Sequence, residues 1–194
     1  MRSKQYIIKF EQIIILFGRL YLETVKTRSG NLIFFQRSDP VSYTHLVTFA
    51  KIVEDMPNCA GIKECSVAFA DCVDIVHRVG DKCTVFSGED LMMGGHVLFG
   101  AEAAIIASAN LIPAAWSRMF EDARTKNIQA VIEFQKKYYP LFDLLFAEIN
   151  PAPLKYTMKK IGMDAGEVST PLLPCSKGLQ AKLDSIIEKM NIQL

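Results

Sequence analysis

From Thr44 onward the apolar residues recur first at helical and then at strand spacing. Leu46, Phe49, Ala50 and Val53 predict a helix over 44–55, which Pro57-Asn58 ends. The short run at 59–64 reads as a buried strand. Phe69, Cys72, Val73 and Val76 then line one face of a helix over 67–79, stopped by Gly80-Asp81. A strand over 84–86, a short helix over 91–99 and a strand over 103–107 follow. Strand and helix alternating at such short intervals is the pattern of parallel βα units.

The remaining residues read as helices. Pro113 suits the first turn of a helix reaching Arg124, because an N–H there would have no partner in any case. A longer helix is expected over 128–147 with a kink at Pro140. Pro151-Ala152-Pro153 opens another, which Gly162 closes. The last starts near Ser176 and carries Leu179, Leu183, Ile186, Ile187 and Met190 along a packing face. Residues 1–40 show no comparable period. Within them 13–22 fits helix or strand, and Leu32-Ile33-Phe34-Phe35 reads as a strand closed by Asp39-Pro40. Val41-Ser42-Tyr43-Thr44-His45-Leu46 reads as a translated cloning-adapter junction.

Composition narrows the classes of function. A chain of 194 residues, half of them apolar, can build one real core, yet it is short for a complete TIM barrel of about 250 residues. A net charge of +1 gives no basic face for nucleic acid. Cysteines 59, 65, 72, 83 and 175 are odd in number and form no Cys-x-x-Cys, which favours reduced thiols in the cytoplasm over disulfides or a zinc site. His45, His77 and His96 lack metal-ligand spacing. The apolar stretch Ile13-Ile14-Ile15-Leu16-Phe17 is too short to span a membrane, and without a cleavage site it does not read as an export signal.

Candidate chemistry centres on Cys59-Ala60-Gly61-Ile62-Lys63-Glu64-Cys65, where a lysine lies inside the apolar strand. Desolvation disfavours an ammonium ion, and a neutral amine is a nucleophile toward ketones. Three blocks follow downstream: Phe86-Ser87-Gly88-Glu89-Asp90, Ala104-Ile105-Ile106-Ala107-Ser108-Ala109-Asn110, and Glu148-Ile149-Asn150-Pro151-Ala152-Pro153-Leu154-Lys155. In this order and at these intervals the four blocks resemble the C-terminal half of the dihydrodipicolinate synthase and N-acetylneuraminate lyase family. The resemblance runs from Thr44 to the C-terminus, about three quarters of the chain.

The resemblance implies a partial TIM (β/α)8 barrel, comprising its last strands and helices, with a C-terminal helical extension. It divides the chain into an unassigned leader over 1–40, barrel residues over 41–110, and the last barrel helix with further helices over 111–194. It implies a pyruvate-dependent class I lyase in which Lys63 forms a Schiff base with pyruvate, and the enamine then adds to an aldehyde, as in lysine biosynthesis. Gly88 matches the glycine beside the pyruvate pocket, and Ile105 a position whose carbonyl borders the site. The imine is itself the electron sink, so no cofactor is implied. The expected partners are pyruvate and an aldehyde, with no nucleic acid or membrane, and full-length relatives are expected to be homo-oligomers.

Sugar-acid cleavage within the same family and an inactive remnant are the alternatives. The family's Gly-Thr-Thr-Gly-Glu turn and its proton-relaying tyrosine have no counterpart here, since Tyr6, Tyr21, Tyr43, Tyr138, Tyr139 and Tyr156 all stand in other contexts. Arg37 is a counterpart of the family's carboxylate-gripping arginine only loosely, since its flanks differ and its interval to Lys63 is about three residues too long. It would be the grip, and Tyr43 the acid, if the chain alone condensed its substrates. The sheet is expected to be open, with three parallel strands, possible extension by 32–35, and an uncovered edge at Gly61 that invites self-association.

Overall fold

The computed structural model describes residues 22–26, 32–36 and 44–192. The expectations at 13–21, Arg37, Asp39-Pro40 and Tyr43 lie outside them. Thirteen elements follow one another among the described residues, and the chain divides into two compact units after Ile105.

The first unit is an open five-stranded sheet in the order β1 (Leu22–Lys26), β2 (Leu32–Gln36), β3 (Cys59–Glu64), β4 (Thr84–Ser87) and β5 (Ala103–Ala104). β1 runs antiparallel to β2, and the pairs from β2 to β5 are parallel. Helices α1 (Thr44–Asp55), α2 (Phe69–Val79) and α3 (Met93–Leu98) connect the parallel strands. One apolar cluster joins helix to sheet, made of Leu46 and Phe49 from α1, Ile62, Ile75, Val79, Val85 and Ala101. Gly61 is required by close approach, since a Cβ there would lie against the Thr84 carbonyl and 2.9 Å from the Phe86 ring.

The extension expected at 32–35 is present as β2, so four strands run parallel, and β1 adds an antiparallel strand beyond it. β3 is paired on both sides, so the uncovered edge is not at Gly61. Three boundaries also move. α2 starts at Phe69 because the Ser66 hydroxyl accepts the Ala68 N–H at 3.0 Å and gives its own proton to Asp71 at 2.6 Å, which holds the preceding residues in a loop. α3 starts at Met93 after a turn in which the Met92 N–H reaches the Glu89 carbonyl at 3.1 Å. β5 ends at Ala104 because β4, its partner, ends at Ser87.

The second unit holds a short 3-10 turn (Ala107–Asn110) and four helices: α4 (Pro113–Arg124), α5 (Ile128–Leu145), α6 (Ala152–Lys160) and α7 (Lys177–Met190). Pro113 occupies the first turn of α4, α5 runs unbroken through Pro140, and Ser176 caps α7 by accepting the Leu179 N–H at 3.3 Å. Trp116 stacks on Phe142 and donates its indole N–H to Ser108 at 2.8 Å. Leu179 and Leu183 are buried, and Ile186, Ile187 and Met190 are partly so, which makes their stripe a packing face. Among the described residues no helix is long and apolar enough to cross a membrane.

Strand alternation sends Ile62 and Glu64 to one face of β3 and Lys63 to the other. Glu64 is fully buried, and its carboxylate accepts the Ser66 N–H at 2.6 Å. Burial pushes its pKa from 4.5 up to about 7, against the pull of that N–H and with a smaller push from Asp71. His96, also fully buried, bonds through Nδ1 to the Ser87 hydroxyl at 3.0 Å, and its Nε2 has no partner. Desolvation lowers its pKa from 6.5 to about 4.

These two groups tilt stability in opposite directions. Glu64 binds its proton more tightly when folded, so its contribution is full below about pH 4.5 and is lost as pH rises to about 7. His96 binds its proton less tightly when folded, so its contribution is full above about pH 6.5 and is lost as pH falls to about 4. Urea unfolding should therefore be nearly level between these limits in the native chain. Glu64→Gln, which keeps the acceptor, should make stability rise with pH, and His96→Gln should make it fall. Each trend should amount to up to about 3 kcal/mol, and parallel pH curves for all three proteins would contradict it. A second expectation concerns the outer edge of β5, which has no partner strand among the described residues. Sedimentation should show self-association, and a monodisperse monomer would count against an available edge.

Candidate functional site

Lys63 is the fifth residue of β3, in register with Phe35 of β2 and Phe86 of β4. It lies close to the C-terminal end of its strand, where βα loops gather in parallel barrels. The side chain is half-buried rather than enclosed, so its stem is covered while its surroundings stay partly open. Gly88 directly follows β4. Its N–H donates to the Glu64 carbonyl at 2.7 Å, which draws the loop across the end of β3. A Cβ at Gly88 would stand 2.6 Å from Lys63 Cε and 2.7 Å from Cγ, and would run into Cys65 Sγ. No side chain larger than hydrogen fits there without displacing the lysine stem.

Ile105 directly follows β5, half-buried, and its N–H donates to the Ser87 carbonyl at 2.8 Å. Two ladder bonds therefore join the ends of β3, β4 and β5 and gather Lys63, Gly88 and Ile105 at one margin of the sheet. Gly88 is packed on the lysine stem, whereas Ile105 is joined to it only through the strand ends. Arg37 and Tyr43, lying outside the described residues, are not placed.

Two further residues belong to this margin and escape a reading of the sequence. Cys65 shares Lys63's side of the chain two positions on, and its Sγ donates to the Gly88 carbonyl at 3.7 Å. Burial raises its thiol pKa, with the Lys63 charge pulling the other way. The Glu89 carboxyl is also raised, chiefly by burial, and again Lys63 opposes the shift. The spacing of Cys65 was a usable signal; nothing in Glu89's neighbours marked it. Among the described residues no group of three or more His, Cys, Asp or Glu could hold a metal ion. What the margin offers is a primary amine beside bare backbone, flanked by a thiol and a carboxyl that resist ionisation, which suits attack on a carbonyl group.

The 4-hydroxy-tetrahydrodipicolinate synthase of Chloroherpeton thalassium is 29% identical over 145 residues, covering 75% of this chain and 48% of that protein. The enzyme of the same name from Brachyspira hyodysenteriae is 32% identical over 143 residues, covering 74% and 48%. The chain thus spans about half the length of the curated relatives it matches. Among solved structures, the chloride-inhibited dihydrodipicolinate synthase from Acinetobacter baumannii complexed with pyruvate superposes with a TM-score of 0.71 at 25% identity, covering 81% of this chain and 55% of that one. The open parallel sheet is accordingly part of a TIM barrel. The profile of the dihydrodipicolinate synthetase family matches residues 21–190, most of the chain, and the chain belongs to that family.

Proposed function

We propose that this chain carries the imine-forming section of a cytoplasmic pyruvate lyase, most closely a 4-hydroxy-tetrahydrodipicolinate synthase joining pyruvate to aspartate semialdehyde in lysine biosynthesis. The observation that carries this reading is the packing of bare Gly88 backbone on the Lys63 stem. It leaves the amine beside a surface that a small planar keto acid can approach. The pyruvate held by the Acinetobacter relative supports the choice of keto acid. In this reading Ile105 borders the same pocket with its carbonyl.

The chemistry begins with the neutral Lys63 amine attacking the keto carbon of pyruvate. Water leaves, and the resulting imine draws electrons from the adjacent methyl group. Loss of a methyl proton yields an enamine, whose carbon adds to the aldehyde; hydrolysis then frees the lysine. Proton transfer and a grip on the pyruvate carboxylate are also needed, and general acid–base groups commonly contribute about 10²–10⁴ in rate. Arg37 and Tyr43 are the candidates this sequence offers for the grip and the acid. The absence of the Gly-Thr-Thr-Gly-Glu turn and a matching relay tyrosine from the sequence favours a second reading, in which the chain alone forms the imine poorly and turns over nothing.

Pyruvate with borohydride should label Lys63 weakly, as seen by peptide mass mapping. Lys63→Ala and Lys63→Arg should abolish the label, since a guanidinium does not shed its proton. A label that persists in Lys63→Arg would remove Lys63 from its role. The chain alone should show no measurable condensation, and adding the N-terminal half of a related synthase should restore it. Robust turnover by the chain alone would reject the second reading. Gly88→Val should reduce the restored rate by at least about a hundredfold while circular dichroism stays unchanged; an unaffected rate would show that backbone approach at Gly88 is not needed.

A further inference from the structure

At the far end of the strands from Lys63, a second pair of reactive groups meets. Cys59 is the first residue of β3, and Cys83 immediately precedes β4. The parallel register sets Gly61 against Thr84, which brings Cys83 opposite the residue after Cys59, and the register shift against β2 between Cys59 and Gly61 breaks the strict alternation of faces there. Strands about 4.8 Å apart and a rise of about 3.3 Å per residue give a diagonal of about 6 Å between the two Cα positions, within the range a disulfide spans. Both thiols are free and half-buried, and both pack against the same apolar cluster of helix and sheet. The Cys83 thiol hydrogen-bonds the Cys59 sulfur, which also takes a bond from the Gly61 amide.

We propose that Cys59 and Cys83 form a peroxide-responsive dithiol that closes to a disulfide between β3 and β4, with Cys59 as the attacking sulfur and Cys83 as the resolving thiol. The Cys59 thiolate attacks hydrogen peroxide. An S–O bond forms, the O–O bond breaks, and the sulfur loses two electrons to the peroxide, leaving a sulfenic acid and hydroxide. Cys83 sulfur then attacks the sulfenic sulfur; an S–S bond forms, the S–O bond breaks, and the departing hydroxide takes the Cys83 proton as water.

The division of labour follows from the surroundings. The bond from Cys83 holds the Cys59 thiol below its usual range despite burial, whereas the bond to Cys59, burial and the nearby Asp81 and Glu102 charges push Cys83 up. Cys65, Cys72 and Cys175 are each raised by burial, which keeps them as poorly reactive thiols. In the reduced chain the pair is an ordinary strand-end contact, in keeping with the reduced thiols expected from the cysteine count. The inference does not rest on the imine chemistry, because Cys59 lies four residues, or about 13 Å, down the strand from Lys63.

Trypsin separates the relevant thiols. Cys59 falls in 52–63, Cys65 and Cys72 in 64–78, Cys83 in 83–118, and Cys175 in 161–177. After brief treatment of the folded chain with hydrogen peroxide, non-reducing peptide mapping should show the 52–63 and 83–118 peptides linked, and dithiothreitol should release them. This pair should exceed any other by on the order of tenfold, and the preference should vanish in urea. Cys83→Ser should leave a Cys59 sulfenic acid that dimedone traps, while Cys59→Ser should leave Cys83 unlabelled. Linkage spread evenly over all five cysteines, equal preference in urea, or Cys59 overoxidised in the native chain without the linked pair would each overturn the proposal, whether or not the variants fold.

Discussion

The hydrogen bond from the Gly88 N–H to the Glu64 carbonyl is the constraint on which the candidate site depends. It is a plain backbone bond, worth about 1 kcal/mol net, but its position matters more than its strength. It continues the β3–β4 ladder one step past the last strand residue and pulls the loop over the lysine. Only then does the Gly88 backbone press on the Lys63 stem. The next bond, from Ile105 to Ser87, repeats the device one strand further along. Both are fixed by the parallel register, so the site is built by strand pairing before any side chain contributes.

Near this margin the strands and the loops and helix that follow them carry several buried polar groups. Glu64, Ser66, Ser87, Asp90 and His96 are all buried in the first unit. A carboxyl and an imidazole without charge are cheaper to hold there than their ions, which is why burial moves both toward their neutral forms. Ser66 and Ser87 supply the hydrogen bonds that make this tolerable. The unpartnered His96 Nε2 is the incomplete part of the network.

Much of this was legible in the residues. The span of α1 followed from Leu46, Phe49, Ala50 and Val53 at helical spacing with Pro57 behind them, and β3 from a short apolar run between turn signals. Where the pattern lost its power, long-range partners decided. Ala103 to Ala107 is uniformly apolar, and only the end of β4 determines where β5 stops. The pairing of Ser87 with His96, nine residues apart, and the meeting of Cys59 with Cys83 depend on which strand lies beside which, and no local period encodes that. Lys63 and Gly88 stood out because they lie in motifs that resemble a family's, whereas Glu89 has its place only through the fold.

The alternation of Lys63 and Glu64 on β3 also makes the sheet a one-residue partition between two kinds of chemistry. A slip of a single residue in the pairing of β3 would exchange their faces. The amine would be driven into the apolar packing between sheet and helices, and the carboxyl would take its place at the loop margin. Such a misthreaded strand would keep nearly all of its backbone bonds and remove the amine from the margin. Fidelity of strand alignment, rather than tightness of the core, is therefore what decides which of these two groups stands beside Gly88.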